Sequence, residues 1–363
     1  MNIWNYNMKS SKTIFFTIIF IMLSINIFPD KPEKDETIIL PSTYGWYAEG
    51  KINVSVRAWI FELEENSILR NGFIDLLEFN FENAGNEEKK IFEERIRYFL
   101  ADNHRGKDII INIMGEDHLL SRTAPNGHSL SVIKINDQKK PDYNNYSKNF
   151  YTLPGDEGTK TFSGTFNIIS QKGYSIISDI DDTIKVSNVL DKKELLHNTF
   201  IRKFVPVRGM PELYRKFEKK GTAFHYVSGS PWQLYPAIHA FLQDEQFPAG
   251  SVELKIFRLK DKSFINFIKA DQLPYKLNSI NTILNRFPQR KFILIGDSGE
   301  KDPEVYTEIA GKHKGRIKYI FIRDVGMIDE NSPRRKAIVK KSGDTKIIIF
   351  KDPMELEPYT LSL

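Results

Sequence analysis

The second half of the chain sets the tightest limit on its fold. After Gly173, four short apolar runs alternate with stretches of helical pattern that begin near Pro211, Pro231, Tyr275 and Pro303. The runs are YSIIS (174–178), AFHYVS (223–228), KFILIG (291–296) and IKYIFI (317–322). Unbroken apolar runs of strand length suit strands buried on both faces, and their alternation with helices predicts a covered parallel sheet. Ligands of such sheets bind at the carboxyl ends of the strands. Those ends are Asp179, Ser228-Gly229-Ser230, Gly296-Asp297-Ser298-Gly299 and Arg323-Asp324. Acidic and small residues at three converging ends predict a site.

The first end, SDIDDTIKVSN, crowds Asp179, Asp181 and Asp182 together. Carboxylates this close need a cation or a proton between them. Magnesium suits the first need, since it takes hard oxygen ligands, often one or two carboxylates plus phosphate oxygens of a substrate. A proton on one aspartate makes it a general acid, and the other, ionised, can attack phosphorus.

Asp179-Ile180-Asp181-Asp182-Thr183 resembles the DxDxT motif of the haloacid dehalogenase superfamily, and the superfamily's other motifs have counterparts in order. Ser228 closes the next run. Lys276 stands in LPYKLNSINTIL, 21 residues before Asp297, and GDSGEKD spans Gly296 to Asp302. Each also has a plainer reading. Ser230 and Pro231 can start a helix as N-cap and N1, and so can Asp302 and Pro303. Lys276 can be a surface lysine, although a cation at a helix N-terminus opposes the dipole.

Segment 174–324 is similar to a narrower group, the catalytic domain of actin-patch-associated phosphatidate phosphatases and their bacterial relatives. The stretches that carry this are ISDIDDTIKVSNV, FVPVRGMPELYRKF, FHYVSGSPWQLYPAIHAFL, FPAGSVELKIF, YKLNSINTILNRFP, KFILIGDSGEKDPEVYTEIA and IKYIFIRDV. The resemblance implies an α/β fold with a doubly wound, mainly parallel Rossmann-like (HAD-type) sheet and a small cap. It implies magnesium-dependent hydrolysis of phosphomonoesters through an aspartyl-phosphate. Asp179 would be the nucleophile and Asp181 the proton shuttle. Ser228, Gly229 and the catalytic Lys276 would hold phosphate. The metal would lie on Asp179, Asp297 and the main-chain carbonyl of Asp181, with Asp182, Thr183 and Asp302 supporting. The implied substrate is phosphatidate, cleaved to diacylglycerol and phosphate at a membrane surface. A soluble sugar or nucleotide phosphate is the alternative substrate, and an exported, non-catalytic binding protein is the alternative class. Residues 186–210 would cap the site, with Leu190, Leu195, Leu196, Phe200 and Phe204 beside Arg202, Lys203 and Arg208; an ordinary amphipathic helix facing the core fits them equally well. Trp232 reads as core or as facing an acyl chain.

Upstream, residues 44–172 read as a β-rich, sandwich-like accessory domain. KINVSVRAWIFEL alternates Ile52, Val54, Val56, Ala58 and Ile60, and IIINIM and TKTFSGTFNII are further strands. Pro125-Asn126-Gly127 looks like a hairpin turn, and NEEKKIFEERIRYFLADN is the one inserted helix. Lys9 and Lys12 precede the apolar run Thr13 to Phe28, so 1–28 reads as a signal peptide or an N-terminal membrane anchor. Either would put the body on the periplasmic or extracytoplasmic side of a bacterial membrane. Residues 29–43 read as a linker, 173–350 as the catalytic domain and 351–363 as a tail. A net charge of +5 permits an anionic partner. The absence of cysteine excludes disulfides and thiolate chemistry, and the seven histidines form no metal-binding pattern. No basic stripe or RNP-like aromatic motif predicts nucleic acid.

Overall fold

The structure, a computed structural model, describes residues 30–136, 146–155, 158–258 and 264–361. The basic and apolar N-terminal run lies outside them. Among the described residues no helix is long and apolar enough to cross a membrane.

The first half contains β1 (Thr37–Ile39), β2 (Thr43–Ala48), β3 (Lys51–Glu62), α1 (Ser67–Leu76), α2 (Asn86–Leu100), β4 (Asp102–Asn103), β5 (Ile110–Ile113), β6 (Glu116–Leu119), β7 (His128–Asn136), β8 (Tyr146–Thr152) and β9 (Ser163–Ile169). Hydrogen bonds join all nine strands into one sheet, in the order β1-β3-β2-β9-β8-β5-β6, with β4 and β7 also on β3. The alternating residues of β3, Ile52 to Ile60, are fully buried in a core shared with Ile111, Ile133, Phe150 and Phe166.

Three details differ from the sequence reading. The stretch read as a linker supplies β1, which pairs with β3. Two helices are inserted rather than one, because SILRNGFIDL also folds as α1, with Asn66 accepting from the Leu69 amide. The strands beside Pro125-Asn126-Gly127 do not pair with each other: β6 forms its ladder with β5 around Met114-Gly115, and β7 pairs with β3. Met114 and Gly115 both have positive φ, as a two-residue hairpin turn requires.

The second half contains β10 (Tyr174–Ser178), α3 (Lys192–Phe200), α4 (Met210–Glu218), β11 (Ala223–Pro231), α5 (Tyr235–Asp244), β12 (Gly250–Lys255), α6 (Phe264–Lys269), α7 (Leu273–Arg286), β13 (Lys291–Asp297), α8 (Asp302–Lys312), β14 (Ile317–Arg323), α9 (Pro333–Lys341), β15 (Lys346–Phe350) and α10 (Glu357–Thr360). The strands form a six-stranded sheet, β12-β11-β10-β13-β14-β15, in which every neighbouring pair is parallel. Neighbouring residues of one strand point to opposite faces. Ile176, Tyr226 and Ile295 thus meet Leu213, Tyr214 and Ile238 of α4 and α5 on one side. Ile177, Val227 and Leu294 meet Ile280, Leu284 and Ile309 of α7 and α8 on the other. The chain is a mixed α/β protein in which helices cover both faces of a parallel sheet.

The sheet borrows core from both flanks. Tyr44, Trp46 and Ile169 of the first sheet pack with Phe287 after α7, while Phe73, Phe92 and Phe99 of α1 and α2 join the opposite cluster. Trp232 is buried at this junction, under the Arg57 guanidinium and beside His128, which settles it as core. The stretch read as a tail folds back: Leu356 is fully buried and Glu357 pairs with Lys216 of α4.

Candidate active site

From β10 the sheet grows one way through β11 and β12, then the other way through β13, β14 and β15. A crevice opens beyond the strand ends where the order reverses. Asp179, Ser228 and Asp297 stand there, all buried.

Asp179 follows β10 directly, and its amide donates to Ile295 O at 2.9 Å, which ties it to β13. Its Oδ1 accepts from Lys276 Nζ at 2.8 Å, and its Oδ2 accepts from Thr183 Oγ1 at 3.1 Å. Lys276, in the first turn of α7, is no surface residue; it is 1% exposed. The same ammonium reaches Asp302 at 2.5 Å and Glu300 at 3.2 Å. Asp302 sits at N1 of α8 rather than at its N-cap, and its carboxylate lies against β13. Gly296 makes this possible, since a Cβ there would come 2.5 Å from Asp302 Oδ2.

Carboxylate oxygens of Asp179, Asp297 and Asp302 lie within 4.8 Å of one another. Burial pushes the carboxyl of Asp179 well above the ordinary range, only partly offset by Lys276, and Asp302 and Glu300 push it further. Asp297 shifts the same way, through burial and then Asp302 and Glu300. Asp297 Oδ2 is buried with no hydrogen-bond partner. Three carboxylates on one ammonium, with Asp297 beside them, leave a deficit of positive charge, and an orphaned buried carboxylate oxygen is a natural ligand for a hard cation.

The second aspartate of the motif points elsewhere. Asp181 Oδ1 accepts from Lys185 Nζ at 2.8 Å and Ser187 Oγ at 2.7 Å, and Oδ2 accepts from Ser228 Oγ at 3.0 Å and Ser230 Oγ at 2.7 Å. Burial alone would raise its pKa, but Lys185 and these hydroxyls outweigh burial and hold it below the usual carboxylate range. Its side chain is thus outside the acidic cluster, and Ser228 is turned towards Asp181 in this state. Ser230 caps no helix, since the 3₁₀ turn that leads into α5 starts at Trp232 with Pro231 at its N-cap. Gly229 runs hard against Gln272, and a Cβ there would lie 1.7 Å from Gln272 Oε1.

Asp182 has a structural task. It takes a left-handed φ of 51° and folds the chain back over the strand end. Its carboxylate accepts from the amides of Ser187 (2.8 Å), Asn188 (2.9 Å) and Val189 (2.6 Å). Asp182→Ala would leave three amides without an acceptor. Bonds to charged groups contribute about 1.5–3 kcal/mol each, but water reaches part of this loop, so a loss of roughly 2–4 kcal/mol is expected in denaturant unfolding. Turnover should fall at least about tenfold as Lys185 and Ser187 lose their place. Unchanged stability would mean that the loop holds itself.

Over the site, Leu196 and Phe200 of α3 turn into the core, Leu195 is half-buried and Leu190 is exposed. Arg202 and Lys203 pair with Glu194 and Glu87. The helix is therefore largely core-facing, with Arg202 and Lys203 engaged in ion pairs.

Lys185, Ser187, Ser230 and Glu300 escaped the sequence reading as site residues. Lys185 alone carried a visible signal, four positions after Asp181.

Residues 174–324 match the family model for the catalytic domain of phosphatidate phosphatase APP1. This segment resembles that family's catalytic domain. The APP1-type segment lies within a longer likeness: phosphatidate phosphatase APP1 of Saccharomyces cerevisiae is 28% identical over 309 residues, 82% of this chain and 51% of that protein. An uncharacterized Schizosaccharomyces pombe protein is 32% identical over 202 residues, 54% of this chain and 32% of its own length. The chain thus spans about half the length of the first relative and about a third of the second. Among solved structures, a Thermotoga maritima chain assigned as a beta-phosphoglucomutase aligns over 51% of this chain and 99% of its own, at 11% identity and a TM-score of 0.30. That likeness carries no argument.

Proposed function

We propose that the chain is a phosphatidate phosphatase with a HAD-type catalytic domain, acting through an aspartyl-phosphate with magnesium as cofactor. The observation that carries the chemistry is the buried Asp179 at the strand end, facing Lys276 within a cluster short of positive charge. The family match supports phosphatidate as substrate.

Magnesium would be held by Asp179, Asp297 and the Asp181 main-chain carbonyl, with Asp302 beside them; when bound it neutralises phosphoryl oxygens. Asp179 attacks phosphorus as the bond to the leaving oxygen breaks. Lys276 stabilises charge on the transferring group. Asp181 protonates the leaving alkoxide. It then takes a proton from the water that attacks the aspartyl-phosphate, which releases phosphate and frees Asp179. The resting contacts of Asp181 favour its ionised form, so the first proton has to arrive with the substrate. A phosphomonoester, whose second ionisation lies near pH 6, can bring it as the monoanion. Ser228 and Ser230 keep Asp181 aimed, and Ser228 can turn to phosphate once that group arrives.

The basic residues and apolar run before Pro29 support action at the outer face of a membrane, and the mass of the exported protein tells a cleaved signal from a retained anchor. The activity test measures phosphate release from phosphatidate vesicles and from soluble sugar and nucleotide monophosphates, with magnesium and with chelator. Magnesium-dependent release from the vesicles is expected. Release from the soluble esters alone would overturn phosphatidate and keep the chemistry, and no release from any ester would overturn both.

A further inference from the structure

A cleft of about 210 Å³ opens beside the Asp181 carboxylate. Its polar lining includes Asp181, Ser230, Gln272 and Glu300. Gln272 donates to Glu300 at 3.0 Å, and its Oε1 is buried with no partner. The remaining wall is largely apolar and includes Val189, Leu195, Leu196, Leu234, Phe264 and Phe267. No lysine or arginine is among the described residues that line it.

We propose that this cleft is the leaving-group subsite, and that it takes one uncharged, chain-like group of about seven non-hydrogen atoms. The inference rests on the phosphatase reading, because it places the leaving oxygen at Asp181. A second anionic group on the substrate would meet Glu300 and Asp181, whose partners Lys276 and Lys185 are already engaged, with no cation lining the wall, which disfavours nucleotides and sugar bisphosphates. Size follows from volume: at about 30 Å³ for a water-sized group, roughly seven fit. Two long acyl chains do not. The wall has little room to yield, because Phe264 packs against Phe73, Phe99, Phe200 and Phe257 at centroid distances of 5.7, 5.5, 5.3 and 5.6 Å, and such interiors are close-packed. Only the part of the leaving group next to phosphate is read; the rest stays outside, in water or in lipid. Leu195 and Phe267 are specificity-determining residues, and Gln272 meets the first polar atoms beyond the ester oxygen.

The test is a series of straight-chain alkyl phosphates from ethyl to dodecyl, held below their micellar concentrations, with kcat/KM measured for each. Each methylene that enters an apolar wall should raise kcat/KM roughly three- to fourfold, and the rise should stop near seven carbons. Leu195→Trp fills the cleft from a half-buried position on α3, and should move the plateau to shorter chains and cut the octyl-to-ethyl ratio at least tenfold. A flat series, a rise that continues to dodecyl, an unchanged profile in Leu195→Trp, or no hydrolysis of the series by an enzyme that cleaves other phosphomonoesters would each overturn the subsite. Asp179→Asn separates the two levels. If it cleaves ethyl phosphate as well as the wild type does, Asp179 is not the nucleophile and the placing of the leaving oxygen at Asp181 falls with it, whatever the chain-length profile.

Discussion

Asp179→Asn should lower phosphate release by about 10⁴-fold or more while leaving the fold intact. An amide is nearly the size of the carboxylate but is no nucleophile, and removing a nucleophile costs most of an enzyme's rate enhancement. The substitution also removes one of the crowded buried charges that face the single ammonium of Lys276. The variant should therefore melt at or above the temperature of the metal-free wild type. That pairing of dead chemistry with preserved stability separates a nucleophile from a structural aspartate. A second readout is direct: brief exposure to radiolabelled substrate and acid quench should trap phosphate on the wild type and none on Asp179→Asn. Equal release by the two proteins would remove Asp179 from the mechanism.

Lys276→Met should damage both activity and stability. The side chain is buried, and its ammonium is shared by Asp179, Asp302 and Glu300. Burial would lower the lysine's pKa, but these carboxylates more than reverse that and raise it well above its ordinary value. Removing one partner of a buried ion pair costs about 3–5 kcal/mol, because the remaining charge stays uncompensated. Phosphate release should fall roughly 10³-fold with the loss of a group that stabilises transition-state charge. The pH dependence has a definite sign. Asp179, Asp297 and Glu300 all have carboxyls raised above their ordinary values in the folded protein, so the folded state binds more protons than the unfolded one. Their contribution to stability is fully present below the ordinary carboxylate range and is lost as pH rises through the raised values. The deficit of Lys276→Met should thus be larger at pH 8 than at pH 5. Magnesium should restore part of it, by about 2.7 kcal/mol at a hundredfold excess over its Kd. Urea unfolding of both proteins, with chelator and with magnesium at each pH, measures all of this. Equal stabilities throughout would show that the ammonium does not hold the cluster together.

The parts legible in sequence were those that local patterns encode. The four apolar runs became neighbouring parallel strands β11, β10, β13 and β14, and their polar ends did converge. The edge strands β12 and β15 escaped. GSVELK has polar residues between its apolar ones, and KIIIF is short and follows a polar, basic stretch, so neither reads as a fully buried run. Helix α1 escaped because Gly72 and Asn71 interrupt its pattern; its place comes from packing Phe73 against Phe99 and Phe200. Within the site, the first carboxylate was readable because Asp179 ends a strand. The partners of the second were not. They depend on the left-handed turn at Asp182, which swings Lys185 and Ser187 back onto Asp181, and no periodicity announces such a turn. Glu300 hid inside GDSGEKD for a related reason, because only the path of the loop before α8 turns it towards Lys276.

The core that the parallel sheet borrows from its flanks bears on how this chemistry can be moved between proteins. Residues 174–324 carry the whole acidic cluster, yet cut out alone they would be no transplantable module. Excision would strip Tyr44, Trp46 and Ile169 from one side, Phe73, Phe92 and Phe99 from the other, and the edge strand β15 with its Phe350. The fragment would present bare aromatic surface and an unpaired parallel edge to water, the conditions under which chains associate with one another. Solubility is then a property of the flanks, and changes at the junction, at Tyr44 or Phe99, should lower the yield of folded enzyme while leaving every catalytic side chain in place.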